Sequence, residues 1–308
     1  MSASALTSPT IIVHLAGGLG NQMFQYALGR HLALANAAAL YLDRSAYDET
    51  VAPDPAQGIR ACQLHHFAVA GKFIRFEKGI NLVFSKIWYK FSRVMEKNRP
   101  YHARRHIIEP AENHFRFDPA IYNLKITGLV VLRGYWQSEK YLVDAAPMLR
   151  RELVVKSEPD EANRELLHQI GATNSVSIHV RHGDNANSVA ANLGVLPLSY
   201  YETAVQRLAA GIANPHFFVF SDDIAWARQN LDIHHPVTYV EHNGDARSHE
   251  DLRLMTHCRH HILANSTFGW WGAWLGAKSG QIVYAPRRYY QNMAQPNPDL
   301  YPETWRLI

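Results

Sequence analysis

From Ser175 onward the chain alternates short apolar runs with amphipathic stretches, and this rhythm constrains the fold more than any other property of the sequence. Val176–Val180 is expected to be a strand, Tyr200–Ala210 a helix, Phe217–Ser221 a strand followed by a helix from Asp223, and Val237–Val240 a strand before a helix opened by Ser248. His261–Ala264 then predicts a buried strand, Phe268–Ala277 a helix, and Gln281–Tyr284 a last strand ended by Pro286. Such βα alternation is the pattern of a doubly wound parallel sheet. The first half opens similarly, with a strand over Thr10–Ala16, a helix from Gln22 and a strand-like Ala39–Leu42, and then turns irregular. A boundary near Ser157-Glu-Pro159 divides the chain into an N-terminal domain of 1–157 and a C-terminal domain of 158–308. No internal repeat or low-complexity tract competes with this reading.

Three strand-to-helix junctions carry residues suited to a ligand. At Asn265-Ser266-Thr267-Phe268, small hydroxyl residues open a helix that continues through Trp270, Trp271 and Trp274. A helix start presents unpaired N–H groups and the positive end of a dipole to an anion. The same residues also suit a plain N-cap followed by core tryptophans. Near the N-terminus, Gly17-Gly18-Leu19-Gly20-Asn21-Gln22 lets a ligand approach the backbone and offers two amides, although the third glycine of the dinucleotide fingerprint is missing. Its other reading is a tight turn capped by Asn21. At the end of the Val176 strand, His179-Val180-Arg181-His182-Gly183-Asp184 places imidazoles, a guanidinium and a carboxylate where open α/β sheets bind ligands. Arg181 fits a pyrophosphate, because its planar fork donates parallel hydrogen bonds and stays charged. A metal site is not expected, since strand alternation sends His179 and His182 to opposite faces.

Taken in order, Gly17–Ala27, Gly134-Tyr135-Trp136-Gln137-Ser138-Glu139-Lys140-Tyr141, the His179 motif, Phe220-Ser221-Asp222-Asp223 and Asn265–Leu275 resemble glycosyltransferase family 11, the α-1,2-fucosyltransferases that use GDP-L-fucose. The resemblance implies a GT-B-like α/β fold, two Rossmann-like domains facing across a cleft, with the donor in the C-terminal domain and the acceptor on the N-terminal side. It implies donor contacts from Gly18, Gly20, Asn21, Gln22, His179, Arg181, Asp222, Asn265, Ser266, Thr267 and Phe268. Tyr135, Trp136, Gln137 and Glu139 are the corresponding acceptor residues, although packing at a domain junction explains them equally well. One position departs from the family pattern: its usual second arginine is His182 here.

The implied reaction is inversion by in-line displacement at fucose C1, giving an α-1,2 linkage to a terminal β-galactoside. Fucosyl transfer to another hydroxyl, or a non-catalytic module that binds sugar nucleotide or glycan, are the readings that His182 leaves open. Charge builds on the departing pyrophosphate, and Arg181 with the Ser266–Thr267 helix start takes the place of a metal. No cofactor is expected; GDP-L-fucose is a co-substrate. Asp222 is a candidate acceptor of ribose or guanine hydrogen bonds, or else an N-cap. Asp184 is the candidate general base, with His182 and His14 as alternatives.

Composition narrows the class further. The chain of 308 residues is 47% hydrophobic and 19% charged, enough apolar material for two cores. A net charge of +4 with scattered histidines gives little support to nucleic-acid binding. Cys62 and Cys258 stand far apart in no metal-ligand spacing, which suits a reducing compartment. The first residues lack a secretory core and no run spans a membrane; because animal members of the family carry a Golgi anchor, the resemblance implies a bacterial, cytoplasmic protein. A basic amphipathic helix over 79–97 is either a surface helix packed on its own domain or a peripheral contact with an anionic inner membrane.

Overall fold

A computed structural model of the protein describes residues 8–47, 59–76, 96, 98–183, 193–291 and 297–308. Asp184 and, Glu96 aside, the basic segment 79–97 lie outside the described residues. The chain divides into two compact units, one of residues 1–51, 62–153 and 298–300, the other of 52–61, 154–297 and 301–308. Each unit is built on an all-parallel sheet flanked by helices, the layout of GT-B-like proteins.

In the first unit the strands are β1 (Thr10–His14), β2 (Ala39–Asp43), β3 (Lys72–Ile74), β4 (His106–Ile108) and β5 (Leu129–Arg133), in the order β3-β2-β1-β5-β4. Helix α1 (Leu19–Ala35) follows β1, and two shorter helices, α2 (Pro119–Tyr122) and α3 (Ala146–Glu152), are also among the described residues. Ile11, Ile12 and Val13 of β1 are all buried, as expected of a central strand covered on both faces. Gly29 lets α1 lie close on this strand, because a Cβ there would stand 2.3 Å from Val13.

The second unit contains α4 (Glu161–Ala172), β6 (Asn174–Val180), α5 (Leu198–Gly211), β7 (Pro215–Ser221), α6 (Ile224–Asn230), β8 (Val237–Tyr239), α7 (Ser248–His257), β9 (His260–Ile262), α8 (Thr267–Leu275), β10 (Val283–Ala285) and β11 (Arg306–Leu307). Its sheet runs β11-β10-β9-β6-β7-β8. Counted from β6, that is the 3-2-1-4-5-6 order of dinucleotide-binding folds, read from the opposite edge. The elements expected from the alternation are all present within a few residues; α4 and β11 were not foreseen.

Alternation along β6 explains the two faces of this sheet. Val176, Ile178 and Val180 pack with Tyr201, Ala204, Val205 and Leu208 of α5, each fully or almost fully buried. Burial of one such side chain stabilises by roughly 1.5–3 kcal/mol. On the next strand the alternate residues Phe218 and Phe220 pack with Ile170 of α4 and with Leu254, Met255 and Cys258 at the end of α7. Ser175, Ser177 and His179 of β6 are buried too, and Ser177 Oγ meets His261 Nδ1 at 2.7 Å. Among the described residues no helix is long and apolar enough to cross a membrane.

Candidate functional site

The chain leaves β6 toward β7 on one side, whereas β9, β6's other neighbour, leads to β10 on the other. The carboxyl ends of β6 and β9 therefore form a topological switch point, where side chains from diverging loops leave room for a ligand. Arg181–Gly183 leave β6 there, and Leu263–Ser266 leave β9 to start α8.

Arg181 Nε lies 3.4 Å from Asp222 Oδ2, both side chains being mostly buried. The other Asp222 oxygen accepts from the backbone N–H of His182 at 2.9 Å, so one carboxylate ties the exits of β6 and β7 together. Asp222 is not the cap of α6. That role falls to Asp223, whose Oδ1 accepts from Trp226 N at 3.0 Å. Asp223 Oδ2 also meets His182 Nδ1 at 3.0 Å, and the imidazole stacks on the Trp226 indole with centroids 4.1 Å apart and planes 7° apart. His182 is thus held by α6, not directed by strand alternation alone.

His179 is 3% exposed, and its ring lies against Phe268 and Gly269 in the first turn of α8. Burial, assisted by the nearby Arg181 charge, drives its pKa down to about 3, so the ring is neutral. Its contact explains one of the two glycines in the Phe-Gly-Trp-Trp-Gly run. A Cβ on Gly269 would come 2.8 Å from His179 Nδ1, and one on Gly272 would come 2.9 Å from Met255. The helix start is thereby seated directly on β6 and α7.

Ser266 caps α8, accepting from Phe268 N at 3.3 Å. Thr267 is buried in the first turn, and Trp270, Trp271 and Trp274 are core. The plain reading of this segment holds: a helix start capped by Ser266 at the strand exits, with core tryptophans beneath it. Asn265 has an internal task, its amide donating to the carbonyls of Leu193, Gly194 and Tyr289 at 2.9–3.1 Å. It fastens two neighbouring loops to the β9 exit.

The first unit has its own switch point, between β1 and β5. Gly18 is the N-cap of α1 and Gly20 is buried in its first turn. Gly17, at φ +76, takes the left-handed bend, and a Cβ there would stand 2.5 Å from the Asn21 amide. Gln22 is fully buried, donating to Gly17 O and accepting from the amides of Gln63 and Leu64. Asn21 Oδ1 accepts from Gln137 Nε2 at 2.8 Å, joining the β1 exit to the β5 exit. Gln25 makes a second link, accepting from Ala16 N and donating to Gly134 O at 3.0 Å each. His14 Nδ1 lies 3.1 Å from Asp43 Oδ2 at the ends of β1 and β2.

Of the expected acceptor residues, Tyr135 is 36% exposed, whereas Trp136 and Gln137 are 1% and 4% exposed. Glu139 is half-buried in the one-turn helix that Ser138 caps through Lys140 N. Glu109, which sequence reasoning missed, accepts from Tyr135 N at 2.6 Å and from Trp136 N at 3.2 Å. Burial raises its pKa to about 7 against the lowering effect of both amides. The available signal was a carboxylate directly after the apolar run His106-Ile-Ile, a strand too short for periodicity to reveal.

Two parallel α/β units, one with a charged cluster and a capped helix start at its switch point, define a GT-B-like glycosyltransferase. The comparisons agree. The model of glycosyl transferase family 11 matches residues 124–308. An Escherichia coli alpha-1,2-colitosyltransferase is 31% identical, covering 97% of this chain and 98% of its own. The Oryctolagus cuniculus galactoside alpha-(1,2)-fucosyltransferase 2 is 26% identical, covering 94% of this chain and 75% of its own. Arabidopsis thaliana FUT1, solved in complex with GDP, superposes with a TM-score of 0.53 at 15% identity, covering 97% of this chain and 76% of its own. This chain belongs to glycosyl transferase family 11.

Proposed function

We propose that the protein transfers L-fucose from GDP-β-L-fucose to the 2-hydroxyl of a terminal β-galactoside, with inversion and without a metal ion. The observation that carries this reading is the convergence of Arg181, tethered by Asp222, and the Ser266-capped start of α8 at the neighbouring exits of β6 and β9. A guanidinium and a helix start aimed at one pyrophosphate stabilise the charge that builds as the C1–O bond breaks. His182, held between Asp223 and Trp226, steadies the backbone beside Arg181. Asp184 is the proposed base, one residue beyond the described strand exit.

A second reading concerns the donor sugar. The 31% identity to an α-1,2-colitosyltransferase, over nearly the whole of both chains, supports colitose as an alternative to fucose. The test is incubation of the purified protein, with EDTA, with GDP-L-fucose or GDP-L-colitose and a panel of β-galactosides, followed by NMR of the product linkage. An α-1,2-linked product from one donor identifies the sugar and establishes metal independence. GDP binding without turnover on any acceptor favours a non-catalytic module, and turnover that EDTA abolishes overturns the metal-free site.

A further inference from the structure

The turn Gly134–Gln137, after β5, is pinned along nearly its whole length. Gln25 holds the Gly134 carbonyl, Glu109 holds the amides of Tyr135 and Trp136, Ser138 N donates to Trp136 O, and the Gln137 side chain reaches Asn21. Trp136 sits at φ +54, a left-handed conformation that a bulky residue adopts only when its surroundings impose it. The same close packing appears at Gly134, where a Cβ would stand 2.4 Å from Glu109 Cβ. Trp136 and Gln137 are turned in, and Tyr135 alone faces solvent, its ring edge-on to His114 at 5.9 Å. Ile108, the last residue of neighbouring β4, is also exposed, at 45%.

We infer that Tyr135 is a stacking platform for the acceptor sugar and that Glu109 is its positioning residue, acting through the two amides it accepts. This inference rests on the acceptor side of the proposed function and names the face of the sugar involved. The axial 4-hydroxyl of galactose leaves the C–H groups of C3, C4 and C5 on one face, an apolar patch that matches an aromatic ring. A rigid aromatic ring binds such a patch with little entropy to lose, provided its backbone is already fixed. Glu109 supplies that fixation from the end of β4, with no contact of its own to the sugar. Its place behind Gly134 explains why a carboxyl group is held in this half-buried position: two backbone amides of a left-handed turn need an acceptor.

The test uses the full chain and the variants Tyr135→Ala, Tyr135→Phe and Glu109→Gln. Lactose binding is followed by saturation-transfer NMR, acceptor KM and kcat by transfer assay, and GDP affinity by calorimetry. Tyr135→Ala is expected to weaken lactose binding and raise acceptor KM about tenfold, and Tyr135→Phe to stay within about twofold of the parent. Glu109→Gln is expected to raise acceptor KM severalfold with GDP affinity unchanged. Unaltered lactose binding in Tyr135→Ala, equal damage from Tyr135→Phe, or no lactose binding by the parent would overturn the inference. Lactose binding that depends on Tyr135 without any transfer would keep the platform and remove the proposed reaction instead.

Discussion

The exits of β6 and β9 in the second unit and those of β1 and β5 in the first occupy the same kind of place in their sheets but are tied together differently. The second unit gathers charge: Arg181 on Asp222, His182 on Asp223, and a helix start capped by Ser266. The first joins its loops with neutral amides, Asn21 to Gln137 and Gln25 to Gly134, and spends its carboxylates internally, the half-buried Glu109 on backbone N–H groups and the buried Asp43 on His14, Ser45 and the Phe76 amide. The proposed function accounts for the difference. Fixed charges suit an anion, whose desolvation they offset, whereas a neutral polyol is better met by shape, an apolar ring and hydrogen bonds that cost little to bury. The two units can therefore be told apart by lesions that affect one ligand and spare the other.

The largest effect is expected at Arg181. Arg181→Ala removes the ion pair with Asp222 and the charge assigned to the pyrophosphate, so transfer should fall about 100-fold or more. GDP affinity measured by calorimetry should fall with it, while lactose binding stays as in the parent. Near-normal transfer by this variant would end the phosphate assignment. Gly269→Ala is expected to act on the same ligand through packing: the added methyl meets His179 Nδ1, and overpacking of this kind costs about 1–3 kcal/mol. Its thermal midpoint and GDP affinity should both drop. A variant with a lowered midpoint and unchanged GDP binding would detach the α8 start from the donor site.

Gly17→Ala is the matching lesion in the first unit. At φ +76 an alanine is strained by roughly 1–2 kcal/mol, and its Cβ would press on the Asn21 amide that holds Gln137. The resemblance implies donor contacts from Gly18, Gly20, Asn21 and Gln22 in this turn, whereas a division of the substrates between the two switch points predicts a lower thermal midpoint and a raised acceptor KM with GDP affinity unaltered. Equal loss of GDP binding would mean that the two switch points do not divide the substrates in this way.

How much of this was legible depended on periodicity. Long or strongly patterned elements such as β6, α5 and β7 were readable because their apolar residues repeat at the spacing the fold requires. So was the α8 start, where Ser266 does cap the helix. The short strands β4 and β5 were not foreseen, because they lie in the irregular part of the first half, where no adjoining patterned helix frames a run of three to five residues as a strand. That is why Glu109 escaped notice: its meaning depends on β4 ending just before it. Adjacent aspartates posed another limit, since either Asp222 or Asp223 could cap α6 and only three-dimensional geometry assigns the cap to Asp223. Motif residues also conceal structural duties. Gln22 and Asn265 sit in the segments that resemble the family pattern, yet both amides hold backbone groups of neighbouring loops.

The smallest expected effect is a pH dependence of stability confined to Glu109 of the first unit. The pKa of Glu109 is raised by burial to about 7 in the folded chain, above the ordinary value of 4.5 that the unfolded chain retains. Its protonated form therefore favours the fold: the contribution is fully present below the unfolded value and is lost as pH rises through the folded one. Tyr141, whose own pKa burial raises with a smaller contribution from the Glu109 charge, and His114, kept neutral by burial that lowers its pKa to about 4, supply no cation to relieve this. Glu109→Gln removes the titration, although it also changes the acceptor offered to Tyr135 and Trp136. The informative quantity is therefore the slope, not the absolute midpoint. Between pH 5 and pH 8 the stability of the variant relative to the parent should rise by on the order of 1 kcal/mol, allowing for solvent screening. Parallel stability curves for parent and variant would show that Glu109 titrates normally. The turn it holds would then owe its left-handed shape to Gln25, Asn21 and the packing of Trp136 alone.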